Sequence, residues 1–365
     1  MKTSAAVLHK AHTALVVEEI ELAPLKSEDV LVSITACGVC HSDLHIVNGQ
    51  PGRPFPLVLG HEAAGIVQEA GESVATVKPG DHVVLSFHPY CGKCRECASA
   101  RTYRCTLRKG PPGYAWDGAV RMTLRGQPLY QMTPVPGFAR HAIVHQSSAI
   151  KVADDVPLDK ACLIGCAVAT GIGAALNTAD VQPGSSVVVI GCGGIGLNVV
   201  QGARLAGAAT IIAVDTMVHK LALATQFGAT AVINASSENV VKRVRELTGR
   251  GADYAFEAIG RPETIQQAYD CIGMGGKAVV AGIVPDYSAR LQIAPGTLLG
   301  ERTLTGTMTG STRPIRDFPR YVQLYREGRI KLDELITTYA PLERVNEALR
   351  SLERGEGART VLLMQ

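Results

Sequence analysis

The sequence contains no apolar run approaching the roughly 18 residues that a membrane-spanning helix needs, so no membrane partner is expected. It also has almost no charge imbalance. A formal net charge of +3 is too small for nucleic acid or an anionic membrane to be the main partner. The opening stretch, MKTSAAVLHKAHTALVVEEIEL, lacks the compact apolar segment and small-residue cleavage site of a secretory signal. It alternates and soon becomes charged, so it reads as strands, and the expected location is the cytoplasm. There is no repeat at a solenoid period and no low-complexity segment. Tryptophan occurs once, as Trp116. What remains is ordinary globular material: 365 residues, 46% hydrophobic and 19% charged, enough for two domains of about 150 residues each.

The texture of the chain changes part-way. The first 150 or so residues read as short strands, among them VLVSIT, AAGIVQEAG, DHVVLSF and RHAIVH, punctuated by Gly, Pro and Asp. This spacing predicts a barrel-like all-β domain. The stretch from Gly110 to Gly137 is rich in Gly and Pro and reads as a long surface loop. After Val181 an apolar strand, a Gly-rich turn and a small-residue helix lead into repeated strand–helix alternation, which builds a parallel sheet covered by helices. That pattern breaks near Thr303. The tail carries two helical stretches, around DFPRYVQLYREGRI and LERVNEALRSLERG, and a final apolar strand, RTVLLM.

Ten cysteines are unevenly placed. Cys91, Cys94 and Cys97 form two overlapping C-x-x-C steps, and Cys105 follows closely. Four thiolates so spaced can wrap one tetrahedral zinc ion, and Lys93, Arg95, Arg101 and Arg104 can offset the charge. Two disulfides or an iron–sulfur cluster are the alternatives, and a reducing compartment favours metal. Such a site has no open coordination position, so its zinc is structural. A second set lies in three distant segments: Cys40 in GVCHSD, His61 in GHE and Cys166 in LIGCAVATGIG. Cys–His–Cys leaves a fourth position for water or alcohol. Taken singly, each has a duller reading: a buried cysteine as a small core hydrophobe, or a histidine beside a turn.

Gly191, Gly193, Gly194 and Gly196 lie in GCGGIG, which follows the strand SSVVVI and opens a helix. Asp215 ends the next strand. The ordered series of strand, glycine turn, helix, strand and terminal acid is a dinucleotide fingerprint. The pyrophosphate would sit at the positive helix end, and Asp215 would accept both ribose hydroxyls while repelling a 2′-phosphate, which favours NAD over NADP. Lys220 either covers the adenosine ribose or is a solvated surface lysine.

GVCHSD, GHEAAG, CGKCREC with Cys105, the Cys166 segment and GCGGIG together resemble the zinc-containing medium-chain alcohol dehydrogenases. Within these the sequence is most similar to the liver-type and glutathione-dependent formaldehyde dehydrogenase (class III-like) branch. The motifs run in the same order over nearly the whole chain. The resemblance implies an α/β chain with a doubly wound Rossmann domain and a β-rich GroES-like catalytic domain. Residues 1–166 would form the catalytic domain with a structural-zinc lobe at 88–108. Residues 167–304 would form the NAD-binding domain, and 305–365 would return to the catalytic domain. It further implies two Zn²⁺ per chain, NAD⁺/NADH as cofactor, a small alcohol or aldehyde substrate, and a homodimer or homotetramer.

The residue roles also come from the resemblance. Cys40, His61 and Cys166 would hold the catalytic zinc, with Glu62 as a transient or outer ligand and Asp43 orienting His61. Ser42 would bond the substrate oxygen, and His45 would end a proton relay. His41 would lie near the pyrophosphate, which Arg359 would reach. Thr170 would pack by the nicotinamide, and Gly191, Gly193, Gly194, Ile195 and Gly196 would line the cofactor. Phe87 would line the substrate channel, with a core aromatic as its bland alternative; a surface charge is that for Arg359 and a solvated loop residue that for His45. Position 41 is His where many relatives carry Arg, so a weaker hold on the pyrophosphate and faster NAD(H) release are expected. The implied reaction is hydride transfer between an alcohol, primary, benzylic or allylic, and NAD⁺. The rivals are a thiol-dependent formaldehyde dehydrogenase acting on S-hydroxymethyl-glutathione, a zinc-free reductase of conjugated double bonds, and a non-catalytic NAD-binding protein.

Overall fold

A computed structural model describes residues 1–107, 110–286 and 288–364. They divide into two compact units: Met1–Cys166 together with the chain from Arg313 onward, and Ala167–Thr312. Residue 108, the expected end of the structural-zinc lobe, lies outside the described residues.

The first 166 residues carry β1 (Lys2–Leu8), β2 (Val16–Leu22), β3 (Asp29–Gly38), α1 (His41–Val47), β4 (Leu57–Val58), β5 (Glu62–Ala70), β6 (His82–Leu85), the one-turn helix α2 (Arg95–Ala98), β7 (Met122–Leu124), β8 (Gln127–Gln131), β9 (His141–His145), β10 (Ala149–Lys151) and α3 (Leu158–Ala161). The second unit carries α4 (Ala167–Gly173), β11 (Ser186–Ile190), α5 (Gly194–Leu205), β12 (Thr210–Asp215), α6 (Val218–Phe227), β13 (Ala231–Asn234), α7 (Val240–Thr248), β14 (Ala252–Glu257), α8 (Pro262–Cys271), β15 (Ile272–Val280) and β16 (Thr303–Gly306). The chain then re-enters the first unit with α9 (Pro314–Arg326), β17 (Ile336–Pro341), α10 (Val345–Glu353) and β18 (Arg359–Leu363).

In the first unit β1, β2, β7, β8 and β4 close a small barrel, and a second sheet runs β10-β6-β5-β3-β18-β17, with β9 also paired to β3. β3 is the centre of that sheet because DVLVSITACG supplies β-branched and small residues that are buried along nearly its whole length. Val30, Val32 and Ile34 enter the core, each worth about 1.5–3 kcal/mol of burial. The register sets up the chemistry. Gly38 at the end of β3 pairs with Glu62 on β5 and with Val361 on β18, so three distant segments meet at one strand end.

The expected surface loop from Gly110 to Gly137 carries no strand up to Arg121 and after Gln131, but its middle is a hairpin of the barrel. Met122 pairs with Leu129 and Leu124 with Gln127, around a two-residue turn, Arg125–Gly126, with φ of 51° and 75°. Both positive angles make this a hairpin turn whose twist matches the strands. Arginine in the first turn position, and not the usual Asn or Asp, hid the hairpin from the sequence pattern. Met122, Leu124 and Leu129 are buried. The segment leading into it is tied down by Arg121, which donates to both oxygens of buried Asp29 (2.8 and 3.0 Å) and to Asp117 (3.0 Å).

The second unit is a parallel sheet of order β13-β12-β11-β14-β15-β16. Its inner strands read as continuous apolar runs, as sheets covered on both faces do. Order reverses between β11 and β14, the switch point where ligands of such sheets bind. The unit ends at Thr312, later than the expected border at residue 304, because the chain after β16 stays bound to it. Thr312 Oγ1 donates to the Ala169 carbonyl (3.0 Å), and Asn177 Nδ2 to that of Gly310 (3.2 Å). Among the described residues no single helix is long and apolar enough to cross a membrane.

Candidate functional site

Cys40, His61, Glu62 and Cys166 converge in the first unit. Each offers a ligand atom within 4.8 Å of the others, and all four are buried. Cys40 caps the start of α1 in an extended conformation directly after β3. Glu62 opens β5 with His61 immediately before it, and Cys166 follows the tight turn Cys162–Gly165. Gly38 makes the convergence possible: a Cβ there would sit 2.3 Å from Glu62 Oε2 and 2.9 Å from Leu163 Cδ2.

Asp43 organises the set. Its Oδ2 accepts from the Cys40 backbone N–H (3.0 Å), and its Oδ1 from the Gly60 N–H (2.9 Å) and from His61 Nδ1 (3.3 Å). With Nδ1 donating to a carboxylate, His61 keeps Nε2 as its free donor atom for a metal. Arg359, carried in by β18, donates from Nη2 to Glu62 Oε1 (3.3 Å) and lies 3.8 Å from Cys40 Sγ. Glu62 Oε2 is buried with no hydrogen-bond partner among the described residues. Burial pushes the Glu62 carboxyl up to about 7, against the pull of Arg359. Cys40 is held well below the ordinary thiol range by its contact with Cys166 and by Arg359 and His61, while the same contact pushes Cys166 up. Burial opposes charge on His61, yet Asp43 and Cys40 hold its pKa well above normal. Two sulfurs, one imidazole and a carboxylate oxygen left without a donor make a set that suits Zn²⁺.

Around this set Ser42 Oγ lies 3.8 Å from Cys40 Sγ. Phe87 meets the His61 ring edge-on at 5.2 Å. His45, in the last turn of α1, is half-buried, and burial lowers its pKa. His41 is exposed at the first position of α1.

The second cysteine group is built differently. The Sγ atoms of Cys91, Cys94, Cys97 and Cys105 also fall within 4.8 Å of one another. Backbone N–H groups point at the sulfurs: Cys94 N at Cys91 (3.3 Å), Cys97 N at Cys94 (3.5 Å) and Cys91 N at Cys105 (3.4 Å). Sulfurs 3.9 and 4.0 Å apart are far from the about 2.05 Å of a disulfide, and all ten cysteines are free. Four converging thiols with such N–H support fit a closed zinc site.

In the second unit, the turn after β11 has the geometry the fingerprint requires. Gly191 has φ of 94°, and a Cβ on Gly196 would lie 1.7 Å from the Gly191 carbonyl oxygen. A Cβ on Gly193 would meet nothing within 4 Å among the described residues, so a ligand can approach there. Asp215 braces the turn: its Oδ2 accepts from Cys192 N (2.8 Å) and its Oδ1 from Met217 N (3.0 Å). Ile195 and Gly196 lie in the first turn of α5. Thr170 is buried on α4, and Lys220 is half-buried on α6.

Two family models match the chain: an alcohol dehydrogenase GroES-like domain over residues 26–154 and a zinc-binding dehydrogenase over residues 194–327. The solved structure of an alcohol dehydrogenase zinc-binding domain protein from Burkholderia ambifaria is 35% identical over 100% of this chain and 99% of that one, with a TM-score of 0.95. The chain belongs to the zinc-binding medium-chain alcohol dehydrogenase family. It is therefore an oxidoreductase, with a GroES-like domain and a Rossmann-type domain. The dehydrogenase is also similar to benzyl alcohol dehydrogenase from Acinetobacter calcoaceticus, at 32% identity, full coverage of both chains (100%) and a TM-score of 0.94. A zinc-binding dehydrogenase from Sinorhizobium meliloti 1021, bound to NADP, matches at 26% identity, 100% of each chain and a TM-score of 0.82.

Sequence reasoning missed two features of these sites. One is His88, whose ring packs on Phe87 at 4.7 Å; only its place beside Phe87 marks it in the sequence. The other is the turn of the Arg359 guanidinium onto Glu62, which no local pattern encodes.

Proposed function

We propose that this dehydrogenase oxidises primary alcohols, benzylic ones foremost, with NAD⁺, using one catalytic and one structural zinc per chain. The observation that carries the reading is the buried Cys40–His61–Glu62–Cys166 set, with Asp43 on His61 and with Ser42 and Phe87 beside it. The similarity to a benzyl alcohol dehydrogenase supports the benzylic preference.

Cys40, His61 and Cys166 would hold the metal, with Glu62 as an outer or exchanging ligand. Bound there, zinc would polarise the alcohol oxygen as a Lewis acid and lower its pKa. Ser42 accepts the alcohol proton as it gives up its own, and His45, whose pKa burial lowers, stands at the end of the relay. Phe87 orients the carbon chain or ring. Gly191, Gly193, Gly194, Ile195 and Gly196 cradle the pyrophosphate, with Arg359 and His41 as further contacts and Thr170 beside the nicotinamide. Asp215 accepts the adenosine ribose hydroxyls, with Lys220 nearby, and its charge disfavours a 2′-phosphate. NAD⁺ supplies the hydride acceptor, and the chain supplies orientation. His41→Arg would put a permanent charge and a planar fork of donors at this position and is expected to tighten NADH binding; unchanged affinity would remove this role.

We place the protein in the cytoplasm, where a reducing environment keeps clustered cysteines available as metal ligands. We also assign it a homodimeric or homotetrameric state. β16 pairs only with β15 among the described residues, and Leu298, Leu299 and Met274 nearby are exposed. Light scattering that returns a monomer would end that assignment.

The functional test is zinc per chain on purified protein, with NADH and NADPH formation against primary, benzylic, allylic and secondary alcohols, with and without glutathione. Two zincs and thiol-independent NADH formation are expected. Turnover only in the presence of thiol would move the protein to formaldehyde–thiol oxidation.

A further inference from the structure

The carboxyl edge of the parallel sheet holds a buried acid for which the reaction has no use. Glu257 is the last residue of β14 and is fully buried. Its Oε1 accepts three hydrogen bonds: from Ile259 N (2.9 Å), Gly260 N (2.7 Å) and Thr264 Oγ1 (2.7 Å). Its backbone carbonyl accepts two more, from Ala281 N (2.8 Å) and Gly282 N (3.0 Å). One residue thus gathers the loop leaving β14, the first turn of α8 and the loop leaving β15. Its other carboxylate oxygen, Oε2, is buried without a hydrogen-bond partner among the described residues. A Cβ on Gly282 would come within 2.7 Å of that oxygen and 2.2 Å of Gly260 N, so the two loops are drawn together as tightly as glycine allows.

The place of this clamp gives it a function. Glu257 pairs with Ile190, the last residue of β11, across the switch point of the sheet, and Ala258 N donates to the Ile190 carbonyl (2.9 Å). The glycine turn begins at the next residue, and a Cβ on Gly191 would lie 2.6 Å from Ile259 Cγ1. Ile259, which the carboxylate holds by its N–H, is therefore the wall against which the turn rests. A buried carboxylate whose hydrogen bonds go to these loops holds them in shape before a ligand arrives.

We propose that Glu257 is a positioning residue for the dinucleotide: it locks the loops after β14 and β15 against the Gly191–Gly196 turn, so that the cofactor meets a preformed crevice. The inference rests on the reading that this unit binds a nicotinamide dinucleotide. It predicts a cost paid in cofactor affinity and not in substrate affinity or metal content, because ordering the loops is charged to cofactor binding once the clamp is gone.

The test is NADH titration by fluorescence, with KM for NAD⁺ and for benzyl alcohol and zinc per chain, on wild type, Glu257→Ala, Glu257→Gln and Thr264→Val. Glu257→Ala is expected to weaken NADH binding about tenfold or more, with KM for the alcohol and zinc content unchanged. Glu257→Gln keeps an acceptor at Oε1 and is expected to recover most of the affinity. Thr264→Val removes one donor of three, keeps the fold, and is expected to weaken NADH binding about two- to fivefold. It decides the matter if Glu257→Ala does not fold, since unchanged NADH affinity in Thr264→Val then overturns the proposal. Wild-type affinity in a folded Glu257→Ala, or equal losses in both KM values, also overturns it. A wild-type protein that binds neither NADH nor NADPH would overturn the dinucleotide reading itself, and this inference with it.

Discussion

The two cysteine sites of the first unit reach similar donor geometry by opposite routes. The lobe site takes all four sulfurs from Cys91 to Cys105, leaves three of them partly exposed, and holds them with backbone N–H groups. The other site takes its donors from β3–α1, from the start of β5 and from the turn before α4, buries all of them, and orients His61 through the Asp43 side chain. The first is closed by composition, since four thiolates fill a tetrahedron. The second adds a carboxylate whose burial and whose tie to Arg359 leave one oxygen unpaired. A short-range site can stabilise a lobe, whereas an open site for chemistry has to be assembled by the fold.

The sharpest way to break this comparison is to remove one donor from the buried set. Cys166→Ser is expected to abolish alcohol turnover and lower zinc from two to one per chain, with the circular dichroism spectrum unchanged. A retained second zinc would show that the buried set is not the metal site. Asp43→Asn tests the device that only the buried set uses. It keeps the size of the side chain but weakens the hold on His61 and Cys40, and should cost about 10- to 100-fold in activity or metal affinity; activity within twofold of wild type would deny Asp43 that role.

Smaller effects belong to the lobe. In the metal-free protein Cys94 should be alkylated first. Its thiol is brought down to about 6 by the backbone N–H groups of Cys97 and Thr106, while burial pushes Cys97 up to about 12. The depressed value means that the thiolate persists as pH falls and is lost only through about pH 6. Mass spectrometry of iodoacetamide-treated protein at pH 5 to 8 would show that midpoint, and alkylation of Cys97 before Cys94 would contradict it.

Trp116 gives the mildest readout. Its ring lies 5.0 Å from that of His145, whose Nδ1 is 2.8 Å from Ser147 Oγ, and that hydroxyl accepts from Tyr90 N (2.9 Å) beside Cys91. Chelating the lobe metal should shift Trp116 emission, whereas Cys166→Ser should not. Burial lowers the His145 pKa, so the pH-dependent change in emission should fall below the ordinary histidine range near 6.5. The sign for stability follows: the unfolded chain takes up the proton first, so His145 costs stability as pH falls through 6.5. A transition at or above 6.5 would contradict the burial argument.

Much of this molecule is written in local pattern. The lobe cluster, the glycine turn with Asp215, the strand–helix alternation and the terminal apolar strand all depend on backbone geometry over a few residues, and spacing reports such geometry directly. The Cys40–His61–Cys166 set was readable only through the order of several motifs, because no spacing rule links residue 61 to residue 166. The hairpin at Met122–Gln131 escaped because Arg125 takes a positive φ usually left to Asn or Gly, and Gly and Pro around it resembled a loop. The border at Thr312 escaped because side-chain contacts to α4, and not composition, decide where the second unit ends.

The sequence by itself determined two local constellations, a four-cysteine cluster and a glycine-rich turn after a strand, because each needs particular residue types at short fixed intervals. Only the tertiary structure decided what lies beside them. Strand register brought Glu62 and Arg359 to the end of β3, and sheet order put Glu257 next to the glycine turn. Those neighbours are set by hydrogen-bonded pairing between segments far apart in the chain, and local periodicity carries no record of which distant strand a segment will pair with.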